Sequence, residues 1–268
     1  MAALLEVSHL KKTFYSTPSF SQLMRGKGQK NASRILTDVC LTLEQGELYC
    51  LIGPNGAGKT TLLKILCGLI LPDEGTFRLS GEVLSPDTPR LKSTFGLVSG
   101  EERSFYWRLT GRQNLEFFSA FYPMSCAEAK CRINELSTLF HMGDYLDKYF
   151  FTYSSGMKQC LGLCRCLLGN PKILFLDEPT RSLDPEVAFE WRHFIRETLL
   201  KKEGKTVLYT THQLEEAELF SDRIGILSGG RVMAEGNSFS LKRAFGVEEN
   251  ASLLGVLHQI TKGKPHAS

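Results

Sequence analysis

The segment GPNGAGKTT, residues 53–61, carries the residue types that bind the phosphates of a nucleotide. Its spacing is G-x-x-x-x-G-K-[ST], and it follows an apolar strand pattern and precedes a helical one, which is the context that such a loop requires. Glycines let backbone N–H groups surround an anion, the lysine reaches the β- and γ-phosphates, and the threonine hydroxyl can bind Mg²⁺. The predicted phosphate-binding residues are Gly53, Pro54, Asn55, Gly56, Ala57, Gly58, Lys59, Thr60 and Thr61.

Two carboxylates end a second apolar stretch, ILFLDEP at residues 173–179. Asp177 suits contact with Mg²⁺, directly or through water, and Glu178 could polarise an attacking water. His212 ends the next apolar stretch, TVLYTTH, and could contact a γ-phosphate. Acidic residues at a strand end can also only cap a turn, and a lone histidine is more often a surface or core residue. Their assignment therefore depends on the phosphate loop.

The segment YSSGMKQ, residues 153–159, is a small polar turn that leads directly into a helical pattern. Ser154, Ser155 and Gly156 would aim their backbone N–H groups out of the helix N-terminus. A helix N-terminus of this kind favours an anion.

The elements that must position these residues alternate between strands and helices. We predict strands at LLEVSHLKKTF, ILTDVCLTL, LYCLIG, TFGLVS, ILFLDEP and TVLYTTH, and hairpins at GTFRLSGEVL and RIGILSGGRVMAEG. We predict helices at Lys59–Leu69, RQNLEFFSAFY, CAEAKCRINELSTLF and PEVAFEWRHFIRETLLKKEG. Alternation of buried strands and helices around a helical insert predicts a parallel α/β core that carries an α subdomain.

Composition limits the classes of function. The chain has 268 residues with 42% apolar and 23% charged residues, as in an ordinary soluble globular protein. The net charge of +3 is too small to indicate nucleic acid as the main partner. No apolar run approaches the roughly 18–20 residues that span a bilayer. The eight cysteines fit reduced, buried thiols; a metal site at Cys160, Cys164 and Cys166 has no nearby histidine to complete it.

Together these motifs resemble the ATP-binding-cassette (ABC) ATPase family over nearly the whole chain. YSSGMKQ is similar to the family's signature motif, usually LSGGQ, with matches at Ser154 and Gly156 and departures at Tyr153, Ser155 and Met157. SLD at 182–184, which contains Asp184, matches the D-loop, and His212 matches the switch histidine. Phe14 falls where the family stacks an aromatic ring on adenine, with Tyr15 as the neighbouring candidate.

The resemblance implies an α/β fold with a P-loop NTPase (RecA-like) core, an antiparallel β subdomain and an inserted α-helical subdomain. It implies one nucleotide-binding domain over residues 1–268. The ATP-binding core and β subdomain would occupy 1–92 and 167–268, the helical signature subdomain 93–166, and a basic insertion 15–34. The catalytic residues would be Lys59, Glu178 and His212, and the cofactors ATP and Mg²⁺. The signature residues of one cassette would contact the γ-phosphate held by a partner cassette in a homodimer.

The resemblance also implies the cellular setting. It indicates a separate transmembrane permease subunit, and a place at the cytoplasmic face of the inner (cell) membrane through that subunit. The signature form, the aromatic segment at 102–118 and the insertion are closest in character to ABC-2-type exporters of polysaccharides or drugs, so we expect an exporter ATPase and no nucleic acid partner. Two alternatives stay open: a cassette acting on ribosomes or nucleic acid, and a regulatory cassette with little turnover.

The family also places a glutamine after the strand that ends at Val98, where this chain has no match. Alignment on Val98 together with Leu109 and Thr110 puts Glu101 there, and alignment on Val98 alone puts Gly100 there. We prefer Glu101 because its carboxylate could bind Mg²⁺, which makes Thr60, Asp177 and Glu101 the predicted metal ligands. The aromatic and basic segment RSFYWRL lies where cassettes hold a helix of the membrane subunit; a surface loop with packed aromatics is an equal alternative.

Overall fold

The computed structural model describes residues 3–16, 31–86, 88–99, 105–181 and 183–261. These residues form two compact units. The first unit comprises residues 1–45, 49–88 and 212–268, and the second comprises residues 46–48 and 89–211. The predicted division of one cassette into segments 1–92, 93–166 and 167–268 stays a prediction.

The strands run in chain order as β1 (Ala3–Ser16), β2 (Asn31–Glu44), β3 (Leu48–Ile52), β4 (Glu74–Leu79), β5 (Glu82–Leu84), β6 (Phe95–Ser99), β7 (Ile173–Asp177), β8 (Thr206–Thr210), β9 (Arg223–Ser228) and β10 (Arg231–Gly236). The helices are α1 (Lys59–Leu66), α2 (Pro89–Thr94), α3 (Gly111–Ser119), α4 (Cys126–Leu139), α5 (Ser155–Leu167), α6 (Pro185–Phe194), α7 (Leu214–Phe220), α8 (Ser238–Ala244) and α9 (Leu254–Thr261).

An antiparallel sheet of four strands, in the order β2-β1-β4-β5, lies in the first unit. Apolar residues alternate with polar ones along β1 and β2, and the apolar set is buried: Leu5, Val7, Leu10, Val39, Leu41 and Leu43. Both strands extend into the predicted insertion, since Tyr15 pairs with Ala32 and Ser16 with Asn31. Residues 17–30 of that insertion lie outside the described residues.

The first unit also contains β3, β9 and β10, with β3 parallel to β9 and β9 antiparallel to β10. Every residue of β3 is buried, as its continuous apolar sequence predicts. The strand leads through the glycine-rich loop into α1. The predicted end of this helix at Leu69 is wrong. Gly68 adopts a left-handed φ of 68°, and the N–H of Leu69 bonds back to the carbonyl of Lys64, so the helix stops at Leu66.

The second unit contains three parallel strands in the order β8-β7-β6. Val207, Leu208, Leu174 and Leu176 are fully buried, which confirms the predicted parallel, buried character of these strands. Helices α3, α4 and α5 fill the stretch between β6 and β7. The predicted single helix over PEVAFEWRHFIRETLLKKEG is α-helical only to Phe194 and continues as a π-helix over Ile195–Lys202.

Four short helices, α2, α7, α8 and α9, were not predicted from the sequence. Among the described residues, no helix combines the length and the apolar character that crossing a membrane requires.

Candidate functional site

The glycine-rich loop of the first unit has a backbone that only glycine allows at two places. Gly58 adopts a left-handed φ of 106°, and a Cβ there would lie 2.7 Å from Leu36 Cδ2. Gly53 is packed so closely that a Cβ would clash with the carbonyl oxygen of Leu227. Gly58 is also the N-cap of α1 and has no side chain with which to cap it. Phosphate-binding loops use this arrangement, in which backbone amides rather than a capping side chain serve the anion.

Lys59 is bent back over the loop. Its Nζ donates hydrogen bonds to the carbonyl oxygens of Gly53, at 2.7 Å, and of Pro54, at 3.2 Å. The residue is 7% exposed, although Pro54, Asn55 and Gly56 are exposed. The ammonium group is therefore held inside the curve of the loop by the loop's own backbone.

Two other predicted residues lie in the first unit. Phe14 in β1 is 40% exposed, whereas Tyr15 is 67% exposed, and Lys12 Nζ lies 5.5 Å from the centroid of the Phe14 ring. Phe14 thus presents a half-exposed ring beside a cation, and Tyr15 is open to solvent. His212 is exposed and follows β8 by two residues.

The end of β7, in the second unit, is organised by a threonine of the neighbouring strand. Thr210 pairs with Asp177 across the parallel ladder, and its hydroxyl donates a 2.7 Å hydrogen bond to Asp177 Oδ1. The same hydroxyl oxygen accepts the backbone N–H of Glu178 at 3.0 Å. One hydroxyl therefore contacts both predicted acidic residues. The sequence did not predict this role for Thr210.

Glu178 adopts a left-handed backbone conformation, with φ of 49°. A non-glycine residue rarely takes this conformation, and where it does the surrounding contacts must enforce it. Its Oε2 pairs with Arg181 Nη1 at 3.0 Å, and the side chain is 19% exposed. Arg181 was also missed at the sequence level, because the rule that pairs residues three apart applies within helices and Glu178 is not helical.

The signature segment begins α5 with Ser154 as the N-cap. Its hydroxyl accepts the N–H of Met157 at 3.3 Å, and Met157 Sδ accepts the N–H of Ser154 at 3.4 Å. This is a capping box in which a thioether replaces the usual carboxylate or amide. The expectation that Ser154 aims its own N–H outward is therefore wrong. The N–H groups of Ser155 and Gly156 belong to the first helical turn, where no intrahelical acceptor exists.

Gly156 is packed against the D-loop and the helix that follows it. A Cβ on Gly156 would lie 3.3 Å from Val187 Cγ1 and 3.9 Å from Leu183 Cδ2. Asp184 is the exposed N-cap of α6, and Pro185 takes the first helical position. Ser154, Gly156 and Asp184 are therefore carried by two helix N-termini of one unit.

Tyr153, a departure from the family pattern, has a structural role. It is 5% exposed, and its hydroxyl donates a 2.7 Å hydrogen bond to the carbonyl of Tyr145. Burial raises the pKa of the Tyr153 hydroxyl well above its ordinary value. This buried anchor ties the start of the signature segment to residues 145–146.

The aromatic segment after residue 104 is ordered by one buried side chain. Asn114 is fully buried; its Oδ1 accepts the N–H of Tyr106 at 2.8 Å, and its Nδ2 donates to the Tyr106 carbonyl at 3.1 Å. Phe105 points inward, while Tyr106 and Trp107 are 50% and 53% exposed. We call the exposed rings around them the aromatic face: Tyr106, Trp107, Phe117, Phe121, Tyr149 and Phe151.

The structure groups the predicted residues by unit. The phosphate loop, Phe14 and His212 belong to the first unit, and Asp177, Glu178, the signature residues and Asp184 belong to the second. Glu101 and its alternative Gly100 lie outside the described residues, as does Ser182 of the D-loop. The assignment of individual residues to ATP or Mg²⁺ stays a prediction.

In this chain a strand leads through a glycine-rich loop into a helix that begins with lysine, and another parallel strand ends in acidic residues. These two features define a P-loop nucleotide-binding protein. The sequence pattern of the ABC transporter family matches residues 36–181. The chain is 35% identical to the ABC transporter ATP-binding protein NatA of Bacillus subtilis (strain 168), over 81% of this chain and 87% of NatA. The chain therefore belongs to the ABC transporter family.

Other relatives are cassettes with stated roles. The daunorubicin resistance ATP-binding protein DrrA3 of Streptomyces coeruleorubidus is 38% identical, over 82% of this chain and 67% of DrrA3. The Nod factor export ATP-binding protein I of Burkholderia lata is 38% identical, over 77% of this chain and 67% of that protein. These relatives confirm the predicted family and the ABC-type ATPase assignment.

Solved structures agree with the fold. An ATP-binding subunit of an ABC transporter has a TM-score of 0.75 and 30% identity, covering 96% of this chain and 99% of that one. A dimeric ATP-binding cassette in a post-hydrolysis state, bound to ADP and phosphate, has a TM-score of 0.73 and 26% identity, covering 87% and 98%. The predicted P-loop α/β fold is confirmed, and cassettes of this family bind nucleotide and dimerise.

Proposed function

We propose that this chain powers export through a separate membrane subunit, with two copies closing around two ATP molecules. The observation that carries the proposal is Glu178, a glutamate just after a buried strand whose backbone N–H donates to the Thr210 hydroxyl, in a chain of the ABC transporter family. ATP binding would close the pair, and loss of phosphate would reopen it.

Phosphate binding is assigned to residues 53–61 and to Lys59 in particular. The Lys59 ammonium donates to two loop carbonyls, so it lies inside the loop that would surround the phosphates. When a nucleotide arrives, its β- and γ-phosphates offer charged acceptors, which form stronger hydrogen bonds than neutral carbonyls. We assign the adenine contact to Phe14 rather than Tyr15, because Phe14 is 40% exposed and therefore partly held by its neighbours, whereas Tyr15 is 67% exposed.

Mg²⁺ prefers hard oxygen ligands, and the hydroxyl of Thr60 and the carboxylate of Asp177 have this chemistry. The hydrogen bond from Thr210 fixes Asp177 Oδ1, so this carboxylate is oriented before any ion binds. We assign Thr60 and Asp177 as ligands, together with Glu101 in place of the family's glutamine. Bound Mg²⁺ neutralises charge on the phosphate oxygens as the terminal bond breaks.

Glu178 is assigned as the general base. Its carboxylate would accept a proton from the attacking water, whose oxygen bonds to the γ-phosphorus as the bond to ADP breaks. Arg181 Nη1 lies 3.0 Å from Glu178 Oε2, and this ion pair fixes the direction of the carboxylate. His212 is assigned to orient the water and contact the γ-phosphate.

The signature helix is assigned to the nucleotide of the partner copy. The first-turn N–H groups of Ser155 and Gly156 and the hydroxyl groups of Ser154 and Ser155 offer donors to a γ-phosphate. Asp184, at the N-cap of α6, is assigned to the same contact between copies. The structures of dimeric cassettes among the relatives support a homodimer.

The aromatic face is assigned to the membrane subunit. Tyr106 and Phe117 meet edge to face with ring centroids 4.8 Å apart, and Phe117 contacts Phe121 at 5.5 Å. Contiguous exposed aromatic surface of this kind marks interaction sites. Membrane anchoring through that subunit would place the chain at the cytoplasmic face of the cell membrane.

The test of the catalytic assignment is Glu178→Gln in the full chain. We expect ATP hydrolysis to fall by at least about 100-fold, because an amide cannot accept the proton, and an ATP-bound dimer to accumulate in size-exclusion chromatography. Glu135→Gln is the matched control, since Glu135 also pairs with an arginine three residues away, Arg132. Normal hydrolysis in Glu178→Gln, or equal loss in Glu135→Gln, would refute the assignment.

The test of the partner assignment is affinity purification from detergent-solubilised membranes, with co-purifying proteins identified by mass. We expect a stoichiometric multi-span membrane protein, and much less of it with Trp107→Ala. Phe239→Ala is the control, since Phe239 has the same 53% exposure as Trp107 but lies in the first unit. Recovery of ribosomal or DNA-binding proteins with no membrane protein would exclude the transporter role.

A further inference from the structure

We propose that His9, Asp38 and Cys40 form a binding site for a thiophilic divalent metal ion of the Zn²⁺ class. Each residue offers one ligand atom, and these atoms all lie within 4.8 Å of one another. His9 Nδ1 lies 2.9 Å from Asp38 Oδ1. The backbone N–H of His9 donates to Cys40 Sγ at 3.4 Å. The site is in the first unit, on β1 and β2, and is independent of the proposed nucleotide-binding residues.

A β-bulge brings the three side chains to one face. Val7 pairs with Leu41 and Leu10 pairs with Val39, so Ser8 and His9 together face Cys40 alone. Without the extra residue, strand alternation would place His9 on the buried face with Leu5 and Val7. The bulge instead gives that buried position to Leu10 and turns His9 to the outer face, where Asp38 and Cys40 lie two residues apart.

The backbone at the bulge is held from the other neighbouring strand. Gly75 in β4 packs against it so closely that a Cβ would lie 2.8 Å from Leu10 Cα and 3.1 Å from Ser8 O. His9 itself has a left-handed φ of 55°, which an L-residue rarely adopts without such enforcement. The backbone of His9 is therefore set by the sheet.

The ligand set selects the class of ion. An imidazole nitrogen, a thiolate sulfur and a carboxylate oxygen are the three ligand types that Zn²⁺ takes in proteins. The sulfur disfavours Mg²⁺ and Ca²⁺, which prefer oxygen. The side chain of His9 is 76% exposed and that of Asp38 is 36% exposed, so water can supply a fourth ligand. A site that keeps one position open to solvent binds an exchangeable ion.

When the metal ion binds, it displaces protons from the ligand atoms. The ion takes the place of the proton between His9 Nδ1 and Asp38 Oδ1, and the imidazole then carries its proton on Nε2. The Cys40 thiol loses its proton to solvent as its sulfur binds. The His9 backbone N–H donates to this sulfur, and a hydrogen bond of this kind orients a metal ligand. The bound ion then links β1 to β2 five residues before Phe14.

The first experiment uses Co²⁺ as a spectroscopic probe for Zn²⁺ on the reduced, full chain without ATP or Mg²⁺. We expect a sulfur-to-cobalt charge-transfer absorption that saturates at one ion per chain and disappears with Zn²⁺. Cys40→Ser should abolish it, and His9→Gln should weaken binding by more than about 100-fold, since even outer-shell partners contribute about 10- to 100-fold. The exposed Cys126 provides the control Cys126→Ser, which should behave as wild type. Absence of the absorption, or equal loss in Cys126→Ser, overturns the proposal.

A second experiment needs no variant and therefore no assumption about folding. The wild-type chain is alkylated with iodoacetamide, with and without Zn²⁺, and the modified cysteines are identified by mass. Zn²⁺ should slow modification of Cys40 at least about tenfold relative to Cys126 and Cys131, which are exposed but outside the cluster. Equal rates for all three cysteines in the presence of Zn²⁺ would show that the cluster binds no such ion.

Discussion

The hydroxyl of Thr210 donates a 2.7 Å hydrogen bond to the carboxylate of Asp177, across neighbouring parallel strands. Its oxygen also accepts the N–H of Glu178 at 3.0 Å, and the Thr210 carbonyl accepts the same N–H at 3.1 Å. Thr210 is fully buried, so its hydroxyl makes these hydrogen bonds away from solvent. Thr210 therefore sets the direction of Asp177 through its hydroxyl, and it holds the backbone of Glu178 through both its hydroxyl and its carbonyl.

Thr210→Val keeps the shape of the residue and removes the hydroxyl. A hydrogen bond to a charged group contributes about 1.5–3 kcal/mol, so we expect the free energy of unfolding to fall by about 1–3 kcal/mol and ATP hydrolysis to fall about tenfold or more. Urea unfolding and steady-state ATPase assays measure the two effects. Thr210→Ser keeps the hydroxyl and should retain most of the hydrolysis. Equal hydrolysis in the valine and serine variants would contradict the positioning role of the hydroxyl.

The sequence predicted the strands and motifs more completely than the contacts that hold them. Period-2 alternation and continuous apolar runs identified β1, β2, β3, β7 and β8, because these patterns follow from which faces are buried. The end of α1 was missed although Gly68 signalled it. The bulge at His9 was also missed, because it depends on the approach of Gly75 from a third strand. Thr210 and Arg181 act through spatial pairing, which one sequence does not display.

Met157 replaces the consensus glutamine of the signature motif, and the family pattern alone does not show what this replacement does. The loss of the consensus glutamine leaves the capping box intact, because Met157 Sδ accepts the N–H of Ser154. The resemblance to the family predicted the position of the signature motif. The role of Met157 in the cap became visible only from the side-chain geometry. The coarse site was therefore predictable from motifs, and its internal hydrogen bonds were not.

Replacement of Met157 tests the sulfur acceptor. Met157→Leu keeps an apolar side chain of similar size and removes the acceptor, and Met157→Gln supplies a stronger one. We expect the free energy of unfolding to be higher for the glutamine variant than for the leucine variant by about 0.5–1 kcal/mol. Chemical denaturation followed by far-UV circular dichroism measures the difference. If the leucine variant were as stable as the glutamine variant, the sulfur would contribute nothing to the cap.

The close approach of Gly111 to Tyr153 makes a size-sensitive contact. A Cβ on Gly111 would clash with the Tyr153 hydroxyl and lie 2.9 Å from the carbonyl oxygen of Leu146. Gly111→Ala should therefore destabilise the fold by about 1–3 kcal/mol, although alanine is the better helix former. Removal of the hydroxyl in Tyr153→Phe should recover part of that loss in the double variant. Additive effects of the two changes in thermal unfolding would argue against the contact.

Because of the buried thiols of α5, we expect the free energy of unfolding to fall as the pH rises in the alkaline range. Burial raises the pKa of Cys166 to about 12, from an ordinary value of 9.0. A thiol whose pKa is higher in the folded state contributes stability that is complete below pH 9 and is lost as pH rises toward 12, because only the unfolded chain ionises in that range.

Unfolding of the reduced chain between pH 8 and 11 measures this dependence. Cys166→Ala should reduce the slope of unfolding free energy against pH by up to about 1.4 kcal/mol per unit above pH 9, the value for one proton. The variant will also lose some stability at every pH because it leaves a cavity, so the slope rather than the absolute value is diagnostic. Cys126→Ala removes an exposed thiol and should leave the wild-type slope. An unchanged slope in Cys166→Ala would mean that this thiol ionises equally readily in both states.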